Sequence, residues 1–492
     1  MKTTDHPPVE TVERLRDYGE LRPGALGLPS ALALPIAFIA PTVGLLFVSG
    51  LIIGKAGASG PFTFLVGAIG MLLFASTLAQ FATRMSSAGG LYTFIARSLG
   101  TSTGFVMAWM FFLAYILQAP IGLNLFSFFA ADALKRDAGL TVPWIVLMIF
   151  IAAVMTALTW FSISRSMQLD IAFVIGEVVI VGSLLLLILL RGGADGQIPQ
   201  AFTPTLSPTG FSGIGLGAIF VVFTFLGFEG VTTIAEETRN PRRNIPIALI
   251  GSIALTGVYF VLGIYAILVG YGTKHLNDLT SATSPVADLA TRYVGHWYGV
   301  LVDLAALSAI CALLIAMFNS CSRLFYSLAR EGVLPRAVAR THDRYKTPHI
   351  SIGAYGLISL ILAAFFAVLW TPFVAYGNLG FFSTLAILPL YVATNIALIA
   401  LIWTRYRSQF SWWLHGVFPV VATLLMIGAF ITSVYPAPPS PLNIIGFVTI
   451  AWALIGIVWM LYLRARNRSR LDLIGRVLFA DTKGVTASDP IA

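Results

Sequence analysis

The chain has 492 residues, of which 58 % are hydrophobic and 10 % charged, with a formal net charge of +9. Soluble domains carry about one-quarter charged residues, so a water-facing globule is excluded. Apolar runs of about 20 residues recur along the chain, as bilayer-crossing helices require, and they lack the two-residue alternation of membrane barrel strands.

The positive charge does not point to nucleic acid, because the basic residues cluster at the ends of apolar runs, where they set membrane orientation. Met1 to Arg22 is polar and mixed in charge, without the apolar segment of a cleavable leader. The first apolar helix is therefore expected to act as the insertion signal. Six spans fill the first half: Ser30–Gly54, Pro61–Phe81, Thr103–Ala131, Val142–Ser162, Ile171–Leu190 and Gly213–Ala235. Six more follow: Pro246–Val269, Tyr298–Leu328, Ile350–Trp370, Phe373–Trp403, Trp413–Tyr435 and Asn443–Leu463. An all-α polytopic protein of twelve spans puts both termini on one side. Loops and tails on that side hold Arg14, Arg84, Arg165, Arg242, Arg243, the basic exit of span eight from Arg323 to Lys346, Arg405 and the run Arg464 to Lys483. The other side holds only Lys55, Lys135, Arg136, Arg191, Lys274 and Arg292. By the positive-inside rule both termini are cytoplasmic in a cell membrane.

Span one carries Ile39-Ala40-Pro41-Thr42-Val43-Gly44. Pro41 lacks an N–H and clashes with the preceding turn, so a break there is cheap. Span six carries Phe223-Thr224-Phe225-Leu226-Gly227-Phe228-Glu229-Gly230, with two glycines around an acid. Paired breaks at mid-membrane expose peptide groups to a solute. Glu229 is a candidate proton-coupling group, because an ionisable side chain at mid-membrane costs about 3 kcal/mol even on lenient scales. Glu177 in span five is a second candidate, open between pairing with a solute amine, carrying a proton and bonding a neighbouring hydroxyl. Asp303 in span eight is placed near the membrane interface. Tyr115 and Gln118 in span three are open between polar contacts for a solute and hydrogen bonds between helices. No basic residue falls mid-membrane within these spans.

Ser86 to Gly100 and Ser281 to Gly295 share a small-residue turn, a short helical stretch with one arginine, and a closing glycine before a long span. They lie on opposite faces, as inverted five-helix repeats predict. Cys311 and Cys321, ten residues apart in one helix, are about 15 Å apart, too far for a disulfide. The six histidines share no metal-ligand spacing, so neither a metal nor another cofactor is expected. No constellation of His, Asp or Cys suggests an enzyme.

The span-six run, followed by Ala235-Glu236-Glu237-Thr238-Arg239-Asn240-Pro241-Arg242-Arg243-Asn244-Ile245-Pro246, resembles the amino acid–polyamine–organocation (APC) superfamily of transporters. Ser87 to Tyr92 and Asn319 to Pro335 resemble that family's loop before span three and its span-eight exit. The resemblance implies a LeuT-type fold: two inverted five-helix repeats, residues 30–190 and 213–403, then two peripheral helices, 413–463. Residues 1–29 and 464–492 would be a cytoplasmic segment and tail. It implies alternating access around spans one and six. A solute carboxylate would meet N–H groups at the first break, and its amine would meet carbonyls from Phe223 to Leu226. Where many amino-acid members carry two glycines, this chain has Thr42 and Gly44 after Pro41. The expected function is secondary transport of an amino acid or related small amine. A non-transporting solute sensor and an amine or polyamine importer or exchanger are the alternatives. The coupling ion is open between a proton and sodium, and the oligomeric state is open.

Overall fold

A computed structural model describes residues 21–85, 89–161, 163–282, 284–435 and 440–466. Ser86, Ser87, Ala88, the N-terminal residues to 20 and the tail from 467 lie outside the described residues. Among the described residues there is no strand; the one β-bridge joins Leu26 to Thr238. Eleven helical stretches of the described residues are long and apolar enough to cross a membrane. The first, Leu28–Arg84, runs 57 residues. As a straight helix it would reach about 85 Å, nearly three times the hydrocarbon thickness of about 30 Å. It is not straight. It is interrupted at Ala40 and turned at Gly57, whose φ is +60°, and Gly60 beyond the turn packs close on Ile53.

Proline and glycine explain these interruptions. Helix α1 (Leu28–Ile39) ends where Ala40 takes φ 49°, ψ 75°, because a following proline disfavours right-handed helical geometry at the residue before it. One helical turn (Pro41–Val43), a π-helical stretch (Gly44–Val48) and α2 (Ser49–Ala56) carry the chain onward. Then come α3 (Gly60–Arg84), the short α4 (Leu91–Leu99), α5 (Thr101–Ile116) and α6 (Gln118–Ala138), the last two separated by Leu117 alone. Helices α7 (Trp144–Phe161) and α8 (Ile163–Leu190) complete the first half.

The second half opens with α9 (Phe211–Phe225), broken at Leu226 and Gly227 and continued by a ten-residue 3-10 segment, Phe228–Glu237. Helix α10 (Pro241–Tyr271), the short α11 (Leu276–Ser281) and α12 (Pro285–Tyr293) lead to the long α13 (His296–Arg330). After them come α14 (His349–Trp370), α15 (Pro372–Arg405), α16 (Phe418–Val434) and α17 (Leu442–Arg466).

Burial sorts the helices into inner and outer. Of the most apolar part of Leu28–Arg84, 83 % is buried, against 17 % for α17. The outer helices instead present large apolar side chains such as Val368, Phe447 and Val458, a surface that only lipid tolerates in bulk. The chain is an integral membrane protein. At its centre, α1 packs against α8, α10, α13 and the 3-10 segment, so both broken elements meet in the interior.

Candidate functional site

The two breaks face each other across one small cavity. Its volume is about 40 Å³, and it is lined by Ile39, Ala40, Val43, Gly44, Phe223, Thr224 and Leu226 from the breaks, with Gln118, Met317 and Tyr376 among their neighbours. A water needs at least about 10–15 Å³ on this measure, so the cavity admits a few waters and no larger solute. The site is closed in this conformation.

Each break frees peptide groups for a reason written in the local sequence. Beyond Ala40 the helix restarts, and the first N–H groups of a helix have no intrahelical acceptor. At the second break Leu226 is extended (φ −60°, ψ 134°) and Gly227 takes φ +96°, so α9 ends with carbonyls no longer engaged by a following turn. Glycine is required at Gly227 twice over. A β-carbon there would lie 2.0 Å from Phe38 Cδ1, and L-residues avoid that φ. At Gly44 a β-carbon would lie 2.3 Å from the Phe260 ring.

Glu229 is fully buried and accepts three hydrogen bonds. Tyr115 Oη donates to Oε1 at 3.1 Å, Tyr391 Oη to Oε2 at 2.8 Å, and the Gly227 N–H to Oε2 at 3.1 Å. The carboxyl thus ties the second break to α5 and α15. Gln118 Nε2 donates to Ser383 Oγ at 2.9 Å, which donates in turn to the Ala114 carbonyl.

The remaining residues singled out from sequence sit around this centre. Thr42 is buried with its hydroxyl turned to Glu177 and Tyr259, and its Oγ1 has no hydrogen-bond partner. Pro41 and Gly227 shape the breaks without lining the cavity. Phe225 packs against Phe64 and Phe260 with ring centroids 5.5 and 5.9 Å away, while Phe223 faces Tyr376 at 6.0 Å. Tyr115 is committed to Glu229 and touches Phe38. Asp303 is buried and pairs with Arg136.

Several residues that matter carried no signal in a one-dimensional reading. Tyr391 reaches Glu229 from a distant helix. Asp170 falls outside a span drawn from Ile171, yet α8 begins at Ile163 and takes Asp170 fully inside. Arg323 belongs to the basic exit of span eight, but it is completely buried and paired with Glu237.

That pair forms part of a buried ionic closure between the 3-10 segment and α13. Arg323 Nη2 also reaches Glu237 Oε1 at 3.1 Å, and Arg330 pairs with Glu236 at 2.5 Å. The Leu26 N–H donates to the Glu237 carbonyl at 2.9 Å, and the Arg239 N–H to the Leu26 carbonyl at 2.8 Å. The segment before α1 is thereby stitched to the end of the 3-10 segment. Around Tyr376, on the cavity wall, stand other aromatic rings: Phe47 lies 5.5 Å from Phe129 and 6.4 Å from Tyr376, centroid to centroid.

Two facing helix breaks with a small cavity between them are the geometry by which a permease would hold a solute. Comparison with known families agrees: residues 34–472 match the amino acid permease family, and the chain belongs to that family, within the APC superfamily. It is similar to the branched-chain amino acid permease BcaP of Bacillus subtilis, 25 % identical over 87 % of this chain and 90 % of the relative. It is also similar to the methylthioribose transporter of Bacillus subtilis, 23 % identical over 86 % and 90 %. The low-affinity putrescine importer PlaP of Escherichia coli is 22 % identical over 84 % and 87 %.

Proposed function

We propose that this permease is a secondary transporter of an amino acid or a related small amine, and that it holds its solute between the Ala40–Gly44 and Leu226–Gly227 breaks. The observation that carries the reading is the meeting of those two breaks on one small cavity. A solute carboxylate accepts from N–H groups at the restart of the first helix. Its ammonium donates to the carbonyls that end α9. Gly44 keeps the approach between the walls short.

In this reading Leu28–Arg84 crosses the membrane twice, which makes twelve crossings in all, with both termini in the cytoplasm of a cell-membrane protein. Residues 30–190 and 213–403 form inverted repeats. Support comes from two matching corners: α4 and α12 are both nine residues long, and each precedes a long helix capped by a glycine at positive φ, Gly100 at 96° and Gly295 at 132°. The Arg323–Glu237 closure is then the inner gate and the Phe47–Tyr376 aromatics the outer one. Opening one at a time moves the solute across. The coupling ion is a proton or sodium; buried Glu229 and Glu177 favour the proton, since a carboxyl can take one up in place.

An amine or polyamine importer is a second reading. It is favoured by the similarity to a putrescine importer. Uptake into proteoliposomes decides between them. With a panel of amino acids, diamines and monoamines at two pH values, saturable uptake or exchange of at least one class is expected. Binding without flux would mark a sensor instead, and neither binding nor flux would overturn the reading.

A further inference from the structure

Helix α8 buries two carboxylic acids outside the solute cavity and outside the Glu229 cluster. Asp170 and Glu177 are each 0 % exposed, and none of their four oxygens has a hydrogen-bond partner among the described residues. Seven residues apart, they stand on one face of the helix, about 10 Å apart along its axis. Next to Glu177 lie the hydroxyl and the backbone N–H of Thr42, from the first break, and the Tyr259 hydroxyl, from α10, none of them within hydrogen-bond geometry of its oxygens. Both hydroxyl oxygens are buried and likewise without a hydrogen-bond partner.

The elements packed on α8 offer these acids no charge partner. From α13 come Arg323, held by Glu237 and Asn319, the thiol of Cys321, and Asp303, held by Arg136. From α10 comes Tyr259. Helices α1 and α7 and the turn Pro41–Val43 carry no titratable side chain. On α12, Asp288 and Arg292 lie against Tyr271, and on α8 itself Arg165 has a partner of its own.

An ionised carboxylate deprived of water needs a donor or a cation in exchange, and without either the neutral acid is the stable form. We propose that Asp170 and Glu177 are two stacked proton-holding sites, both protonated in this closed conformation and distinct from Glu229. Each takes its proton from water when it is hydrated and returns it there when it ionises. Asp170 stands one turn from Ser166, which accepts a hydrogen bond from Asn319 at 3.1 Å, beside the Arg323 closure. The inference deepens the transport reading, on which only the flux part of its test rests.

Infrared spectroscopy of the purified full-length protein at neutral pH, in light and heavy water, reads the carbonyl stretch of protonated acids directly. Asp170→Asn and Glu177→Gln are each expected to remove one such band, and the double variant both, while Glu229→Gln leaves both in place. Wild-type protein carrying carbon-13 in its aspartate or glutamate side chains gives the same assignment by band shifts and needs no variant to fold. If no protonated aspartic acid band and no protonated glutamic acid band beyond that of Glu229 is found, the proposal is overturned. In proteoliposomes, proton movement accompanying solute uptake is expected to be lost in the double variant while solute binding persists. Both bands present with proton movement unchanged in the double variant would overturn the role of these acids in the cycle. No solute flux in the wild type would instead place the failure in the transport reading.

Discussion

Glu229 gathers three donors from three parts of the chain, and its ionisation state decides how many of them it can keep. An ionised carboxylate accepts all three; a protonated one gives up part of that capacity and becomes a donor. Protonation therefore loosens the link between the second break, Tyr115 and Tyr391, which is how a proton arriving here would be felt at the solute cavity. In Glu229→Gln the amide nitrogen cannot accept, so one buried donor loses its partner, at a cost of about 1–3 kcal/mol. Proton-linked uptake is expected to fall more than solute binding does. The check is uptake across a pH series beside equilibrium binding of the same solute, and an unaltered pH dependence would remove Glu229 from the coupling.

At the scale of elements, the closure between the 3-10 segment and α13 rests on a fully buried ion pair. Such a pair stabilises little relative to apolar residues of the same volume, but breaking one half strands a charge, at a cost of about 3–5 kcal/mol. Glu237→Gln is thus expected to lower the thermal unfolding midpoint of the purified protein clearly. Replacing both partners, Glu237→Leu with Arg323→Met, is expected to recover most of that stability. If the pair is a gate, the double variant still leaks accumulated solute from loaded proteoliposomes. Full stability with normal retention would reduce the pair to a structural role. The break itself is an element-scale event too: Pro41 and Gly227 weaken two helices at the one level where they can meet, while proline within a well-packed helix, such as Pro389 in α15, leaves the element continuous.

For the whole molecule, burial runs inward from the exposed apolar face of α17 to the broken elements at the centre, and in the twelve-crossing reading the basic loops crowd one side. That asymmetry makes a prediction independent of any solute. In a background with Cys311→Ala and Cys321→Ala, the exposed positions Lys274 and Arg407 can each be replaced by cysteine. A membrane-impermeant maleimide added to intact cells is expected to label Lys274→Cys and leave Arg407→Cys untouched until the cells are opened. The reverse pattern would invert the orientation and exchange the inner and outer gates.

The amino-acid pattern alone carried the membrane class, the helical architecture, both break positions and the acid at the second break. Each of these follows from local chemistry: apolar length, a missing N–H, a glycine, an ionisable group in an apolar run. It also carried the permease kinship, through the residues around Glu229 and the exit of α13. The partners stayed hidden. Tyr391 lies 162 residues from Glu229 and Arg323 lies 86 from Glu237, and nothing in either neighbourhood names the other. Asp170 was missed for a related reason, since a polar residue at the edge of an apolar run reads as a boundary until packing shows the helix extending past it. Which breaks face which, which acids are satisfied and which are left bare depend on how helices distant in sequence are brought side by side, and only the folded chain decides that.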